Sequence, residues 1–208
     1  MLPATIPIFP LPNVVLFPGV FLPLHIFEPR YRAMVGEAIK GDRMIGMTLL
    51  KPGWEGDYDR RPAIYPVGCA GLISHVDKLA DGRYNIVLQG IEKFRIVREE
   101  REGDYRRAEV LALPETMHEE AKDHLRKERA KLEALLLPSK PGSDASFPSS
   151  LPDEDLVNAL SQYLELLPVE RQALLERENP LDRCRSLIEL MEIQALVTRQ
   201  ATNGGHVH

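Results

Sequence analysis

With 208 residues the chain has room for one large domain or two small ones, and its 44% apolar and 27% charged residues match a folded protein rather than a disordered or membrane-embedded one. Its net charge of −5 lies in the second half: residues 1–115 hold 15 Lys or Arg against 15 Asp or Glu, and residues 116–208 hold 11 against 16. Phosphate backbones are bound through clustered Lys and Arg that release counterions, so this distribution argues against a general nucleic-acid binder.

Seven prolines fall before Tyr31, and a residue with fixed φ and no backbone donor keeps this segment out of a helix. The apolar runs between them, at residues 6–11, 14–17 and 21–27, read as short buried strands. The stretch 14–27 is broken by Pro18, Gly19, Pro23 and His25 and is too short to span a bilayer. No basic residue precedes it and no A-x-A site follows, so the expected location is the cytoplasm, with no membrane association. Pro29 suits the first position of a helix, in which Tyr31, Met34, Val35, Ala38 and Ile39 repeat at three and four, and Gly41 is placed to end it.

Residues 44–50 read as a strand and 54–66 as an exposed loop. Residues 67–79 and 83–90 are extended arms joined across Ala80-Asp81-Gly82, and Asp-Gly favours a hairpin because both residues accept positive φ. Gly90 is a candidate bulge before residues 94–98 continue the strand, and residues 108–113 close the series. Several short strands and one helix suggest a small barrel, since closure removes exposed edges.

At Pro114 the apolar period changes from two to about 3.6, and a long helix is expected over residues 115–137 with Ala121, Leu125, Leu132 and Leu136 on one side. A Ser/Pro/Gly-rich loop at 138–152 follows. A helix from 153, a short one at 169–176 and a last one capped by Asn179 complete a bundle, the last burying Leu181, Cys184, Leu187, Ile188, Met191 and Ala195. The expected domains are a β-rich pseudo-barrel at 1–115, a helical bundle at 116–200 and a flexible tail at 201–208.

Catalytic motifs are missing. The sequence has no phosphate-binding G-x-x-x-x-G-K-[ST] loop, no G-x-G-x-x-G fingerprint and no G-x-S-x-G elbow. Ser74 and His75 are neighbours on an expected strand and point to opposite faces. His118 and His124 are six apart, which separates them by about 240° around a helix, whereas a zinc-protease helix needs them four apart. Cys69 and Cys184 are read as reduced, buried thiols, and no metal or cofactor is expected. The densest polar cluster is His25, Glu28, Arg30 and Arg32; it is either a pocket rim or a helix start in which Glu28 caps and pairs with an arginine. Trp54 either contacts a partner or packs its loop down.

These residues resemble a known family. Ile8-Phe9-Pro10-Leu11-Pro12, Val14-Val15-Leu16-Phe17-Pro18-Gly19 and Leu22-Pro23-Leu24-His25-Ile26-Phe27-Glu28-Pro29-Arg30-Tyr31-Arg32 are similar to the opening signature of the Lon N-terminal domain. Pro66-Val67-Gly68-Cys69-Ala70, the stretch from Leu79 to Ile86, and Gln89-Gly90-Ile91-Glu92-Lys93-Phe94-Arg95-Ile96 continue the resemblance. It extends to Leu166-Leu167-Pro168 and Asn179-Pro180-Leu181-Asp182-Arg183. It implies an α+β fold: a PUA-like β pseudo-barrel with a short helix, followed by a C-terminal helical bundle.

It also implies a stand-alone substrate-recognition domain without the ATPase and protease domains of Lon proteases. The expected function is non-catalytic protein or peptide binding, as an adaptor in protein quality control, with unfolded or protease-associated partners and a homo-oligomer open. Glu28, Arg30, Arg32 and Trp54 are the expected contacts. An RNA-binding PUA-like module and a small-molecule enzyme built on His25 and Glu28 are the alternatives.

Overall fold

A computed structural model describes residues 2–58, 61–100, 103–136 and 150–203, the last six of these by backbone alone. Six strands, β1 (Thr5–Leu11), β2 (Phe21–Ile26), β3 (Met44–Leu49), β4 (Val67–Lys78), β5 (Tyr84–Glu99) and β6 (Arg106–Leu113), form one sheet in the order β2-β5-β4-β3-β1-β6. An additional β5–β6 pairing closes β1, β3, β4, β5 and β6 into a ring, with β1 and β3 parallel and the other pairs antiparallel. Closure works because β5 is long: Tyr84–Gln89 pairs with β2 and Lys93–Glu99 with β6. Ile6, Ile8, Ala70, Phe94 and Ala108 are fully buried in the ring's core. β2 pairs with β5 alone, so its outer edge is unpaired among the described strands. Pro23 blunts that edge by removing a donor.

The expected hairpin joins β4 to β5 with Gly82 at φ +81°, and the Leu79 N–H donates to the Arg83 carbonyl at 2.9 Å. Residues 14–17 depart from the expected strand. Val15, Leu16 and Phe17 are buried from an irregular segment, because the chain there crosses Gly90 instead of lying along a neighbour: Gly19 N–H donates to the Gly90 carbonyl at 2.9 Å. A Cβ on Gly90 would stand 2.0 Å from the Phe17 carbonyl oxygen, and the β4–β5 register shifts beside it, between Ala70 and Gly71. The residue without a partner in this shift is Ile91, one position after the expected bulge, and Gly90 is a point of close backbone approach.

α1 (Pro29–Ala38) begins at Pro29 as expected and buries Tyr31, Met34, Val35 and Ala38. It ends before Gly41, and the left-handed residue after it is Arg43, at φ 57°. The loop after β3 contains a 3-10 turn at Glu55–Asp57.

The chain divides into two compact units, Met1–Glu115 with Asn158–Glu176, and Thr116–Val157 with Arg177–His208. Residues 158–176, placed in the bundle by sequence, thus group with the sheet, and hydrogen bonds explain why. Gln162 Oε1 accepts from the buried Phe17 N–H at 3.1 Å, and Asn158 Nδ2 donates to the Pro18 carbonyl at 3.0 Å. From α4 (Pro168–Leu175), Gln172 Nε2 donates to the Val67 carbonyl at 3.0 Å. Side-chain amides here replace the strand partners that these backbone groups lack.

In the second unit α2 (Glu119–Leu136) packs on α5 (Pro180–Asn203), and α3 (Asp153–Tyr163) starts there. α2 begins four residues later than expected. Asn179 caps α5 by accepting the Asp182 N–H at 3.0 Å. The α5 face is buried through Ile188, whereas Ala195 is exposed. α5 runs to Asn203, so residues 201–203 of the expected tail are helical; residues 204–208, and residues 138–149 of the loop expected over 138–152, lie outside the described residues. Cys69 and Cys184 are free, buried thiols. Among the described residues no helix is long and apolar enough to cross a membrane.

Candidate functional site

β2 ends at Ile26, and Glu28 precedes α1 with extended backbone, φ −65° and ψ 134°. Its carboxylate makes no cap bond, so the capping role weighed for it is not observed. It turns instead to Arg30 and Tyr58. Arg30 Nε donates to Glu28 Oε2 at 3.0 Å, and the Tyr58 hydroxyl donates to Oε1 at 2.7 Å. The Arg30 guanidinium lies over two rings, 4.6 Å from the Tyr31 centroid and 4.9 Å from that of Tyr58, and Trp54 meets Tyr58 edge to face at 5.5 Å. Glu28, Arg30 and Trp54 thus belong to one cluster, joined through Tyr58.

Arg32 is elsewhere. Two positions along a helix differ by about 200°, which turns it toward the β4–β5 hairpin, where its Nη2 would touch a Cβ built on Gly82. His25 also faces another way: Nδ1 sits 2.7 Å from Asn85 Oδ1, and Nε2 3.3 Å from Arg83 Nη1. His25 and Glu28 turn to different partners, Asn85 and Arg83 for the one and Arg30 and Tyr58 for the other, and no bond joins them as an acid–base pair among the described residues.

Beside the cluster opens a cleft of about 290 Å³. Arg30 and Tyr31 of α1, Tyr58, Arg61 and Pro62 of the loop, and Asp104, Tyr105 and Arg106 around the start of β6 line it. Arg106 is buried; its Nη1 donates to Glu99 at 3.3 Å and its Nη2 to the Pro62 carbonyl. Burial lowers its pKa, and although Glu99 opposes this, repulsion from Arg61 and Arg30 adds to the depression. At Arg30 burial also acts against the charge, but Tyr31 and Glu28 outweigh it and hold the guanidinium above its usual value. Burial raises Tyr58, reinforced by its bond to Glu28, and burial likewise raises Tyr31. Tyr105 is raised by burial and by its hydroxyl bond to Glu37. All three phenols remain protonated donors at neutral pH.

Tyr58, Arg61, Tyr105 and Arg106 were not singled out from sequence. Among the described residues no group of three or more His, Cys, Asp or Glu could hold a metal ion.

The model of the ATP-dependent protease La (LON) substrate-binding domain matches residues 5–192. The chain belongs to this family. It is 34% identical over 189 residues to Lon protease 2 of Syntrophobacter fumaroxidans, covering 84% of this chain and 22% of that protein. Lon protease 2 of Myxococcus xanthus is 28% identical over 196 residues, covering 91% and 24% respectively. The chain therefore spans about a quarter of the length of these relatives. Two solved structures share the fold. The N-terminal domain of the Mycobacterium avium complex Lon protease has a TM-score of 0.69 at 19% identity, over 90% of this chain and 98% of that one. A Lon N-terminal domain protein from Xanthomonas campestris gives 0.62 at 23%, over 89% and 97%. The pseudo-barrel with a short helix and C-terminal helices is thus the fold of Lon N-terminal domains.

Proposed function

We propose that the chain is a protein-recognition module that holds segments of other proteins and makes or breaks no covalent bond. The observation that carries this reading is the match of the LON substrate-binding domain over residues 5–192. The surface supports it: Phe21 and Phe27, beside β2, are 50% and 60% exposed and offer a partner segment apolar side chains to pack on. Glu28, Arg30 and Trp54, with Tyr58, form the contact cluster near the start of α1; Arg32 contributes from the hairpin side. The finer reading is a cytoplasmic adaptor in protein quality control whose partners are unfolded or protease-associated proteins.

Crosslinking in cells followed by mass spectrometry tests it, with Arg30→Ala and Trp54→Ala compared against wild type and each variant checked for an intact thermal transition. Protein partners recovered with wild type and depleted in both variants are the expected result. Recovery of the same partners in all three removes the cluster from the reading. Purified chain that turns over a metabolite or cuts a peptide, contaminants excluded, overturns the reading itself.

A further inference from the structure

We propose that the cleft beside α1 seats a carboxylate presented by a protein segment, either a free chain end or an acidic side chain. This rests on the protein-recognition reading and names the chemistry that would be recognised. Three guanidiniums from distant parts of the sequence, Arg30, Arg61 and Arg106, line one small cavity. They are not equally engaged within the chain. Arg106 is fixed by Glu99 and the Pro62 carbonyl. Arg30 is held as well: Nε donates to Glu28 Oε2 at 3.0 Å, Nη2 lies 2.9 Å from the same oxygen, and Nη1 donates to the Tyr58 carbonyl at 3.4 Å. Arg61 is exposed, donates through Nη1 to the Glu100 carbonyl, and has no carboxylate partner among the described residues.

A planar guanidinium with free parallel N–H groups matches a carboxylate in two-pronged fashion. The ring of Tyr58, with that of Tyr31 beneath Arg30, supplies a flat wall for the apolar part of the same residue.

Size and charge narrow the ligand. About 290 Å³ is at the small end of the roughly 300–1,000 Å³ typical of ligand pockets, which suits one residue better than a nucleotide or a large cofactor. Glu28 and Glu99 each offset one arginine, and Asp104 also lines the cleft. Arg61 is the one of the three without an ion pair among the described residues, so the cleft can meet a single negative charge better than the double charge of a phosphate.

Amide chemical-shift titration of the full chain tests this with three probes: N-acetyl-Gly-Phe, N-acetyl-Gly-Phe-amide, and N-acetyl-Gly-Glu-Gly-amide. The expected result is movement of the Leu50, Gly103 and Asp104 amides with one or both acids and not with the neutral amide. The stronger of the two acids then assigns the source as chain end or side chain. Arg61→Ala, an exposed substitution that keeps the fold, should weaken that binding roughly tenfold, as for one lost charge-assisted hydrogen bond. Equal shifts from the neutral amide, unchanged affinity in Arg61→Ala, or tighter binding of inorganic phosphate than of either acid would overturn the proposal. If cellular crosslinking still recovers proteins after such a result, the cleft assignment fails alone and the recognition reading stands.

Discussion

The Tyr58 hydroxyl donates to Glu28 Oε1 at 2.7 Å, so a loop residue thirty positions downstream holds the side chain that precedes α1. This bond, with the Arg30 guanidinium over the Tyr58 ring, ties the loop after β3 to the start of the helix. Tyr58→Phe keeps the ring and removes the hydroxyl. Glu28 retains Arg30, and the site is only partly buried, so the expected loss is about 1 kcal/mol, less than a buried charged hydrogen bond would give. Urea unfolding reads the loss. Trp54, the chain's one tryptophan, reads the loop locally because it packs on Tyr58 at 5.5 Å, and its emission should shift to the red. An unchanged midpoint together with unchanged emission would show that the hydroxyl anchors nothing.

Gly90 allows two backbones to approach where any side chain would intrude. A Cβ there meets the Phe17 carbonyl oxygen at 2.0 Å, and backbone is less able to yield than a side-chain tip. Gly90→Ala should therefore cost at least the upper part of the roughly 1–3 kcal/mol usual for overpacking. The strain should also loosen the segment that buries Leu16 and Phe17, so amide exchange at Gly19 and Val20 should rise. Gly53 is the control, because its substituent would meet nothing within 4 Å, although its φ of +88° adds a modest strain of its own. Equal midpoints for the two alanine variants would contradict the packing argument.

Arg129 is a buried charge that ties elements of the second unit together. Its Nε donates to Glu133 at 2.8 Å, and its Nη1 to Asp153 at 2.7 Å and to the Leu151 carbonyl at 2.6 Å. It thereby ties α2 to the start of α3. Arg129→Met leaves a carboxylate on each side without its partner, at a cost of about 2 kcal/mol once the partial exposure of both acids is allowed for. Arg129→Lys should recover less than half of that, since one ammonium cannot reproduce the forked geometry that reaches three acceptors. A lysine variant as stable as wild type would reduce the interaction to simple charge pairing.

The elements that could be read from sequence are those specified by local chemistry. Pro29 opens α1, Asp81-Gly82 turns the hairpin and Asn179 caps α5, each through a residue whose own backbone or side chain sets the conformation. Residues 14–17 escaped because an apolar run shows that a segment is buried, whereas its backbone partners, Gly90 and Gln162, are far away in sequence. Buried charges escaped for a related reason: Lys93, Arg129 and Arg183 look like solvated positions until Glu115 or Glu133 and Asp153 are brought beside the first two. At the site, Glu28 and Arg30 could be paired on sight, being two residues apart. Tyr58, Arg61 and Arg106 come from distant parts of the sequence and reach the same place only in the folded chain, with residues 103–106 beside Arg30 and Tyr31. Helical geometry alone could have separated Arg32 from Arg30.

Cys184 on α5 is fully buried, and burial, aided by the charge of Glu128, pushes its thiol up to about 12. In the unfolded chain the same thiol titrates near its ordinary value of about 8.5. Below that pH both states hold the proton, and the thiol contributes its full share of stability. Above it the unfolded state sheds a proton that the folded state keeps, so stability falls as pH rises, by up to about 1.4 kcal/mol per pH unit, until the folded thiol itself titrates. Wild type should thus lose stability more steeply between pH 8.5 and 10.5 than Cys184→Ala does. The comparison uses slopes, because the alanine variant also leaves a cavity that shifts its midpoint at every pH. The same burial predicts slow labelling by a thiol reagent at pH 8 in the folded protein and fast labelling in urea. Parallel slopes in the two proteins, or rapid labelling of Cys184 without denaturant, would mean that α5 opens readily and that the thiol is not held in the apolar interior.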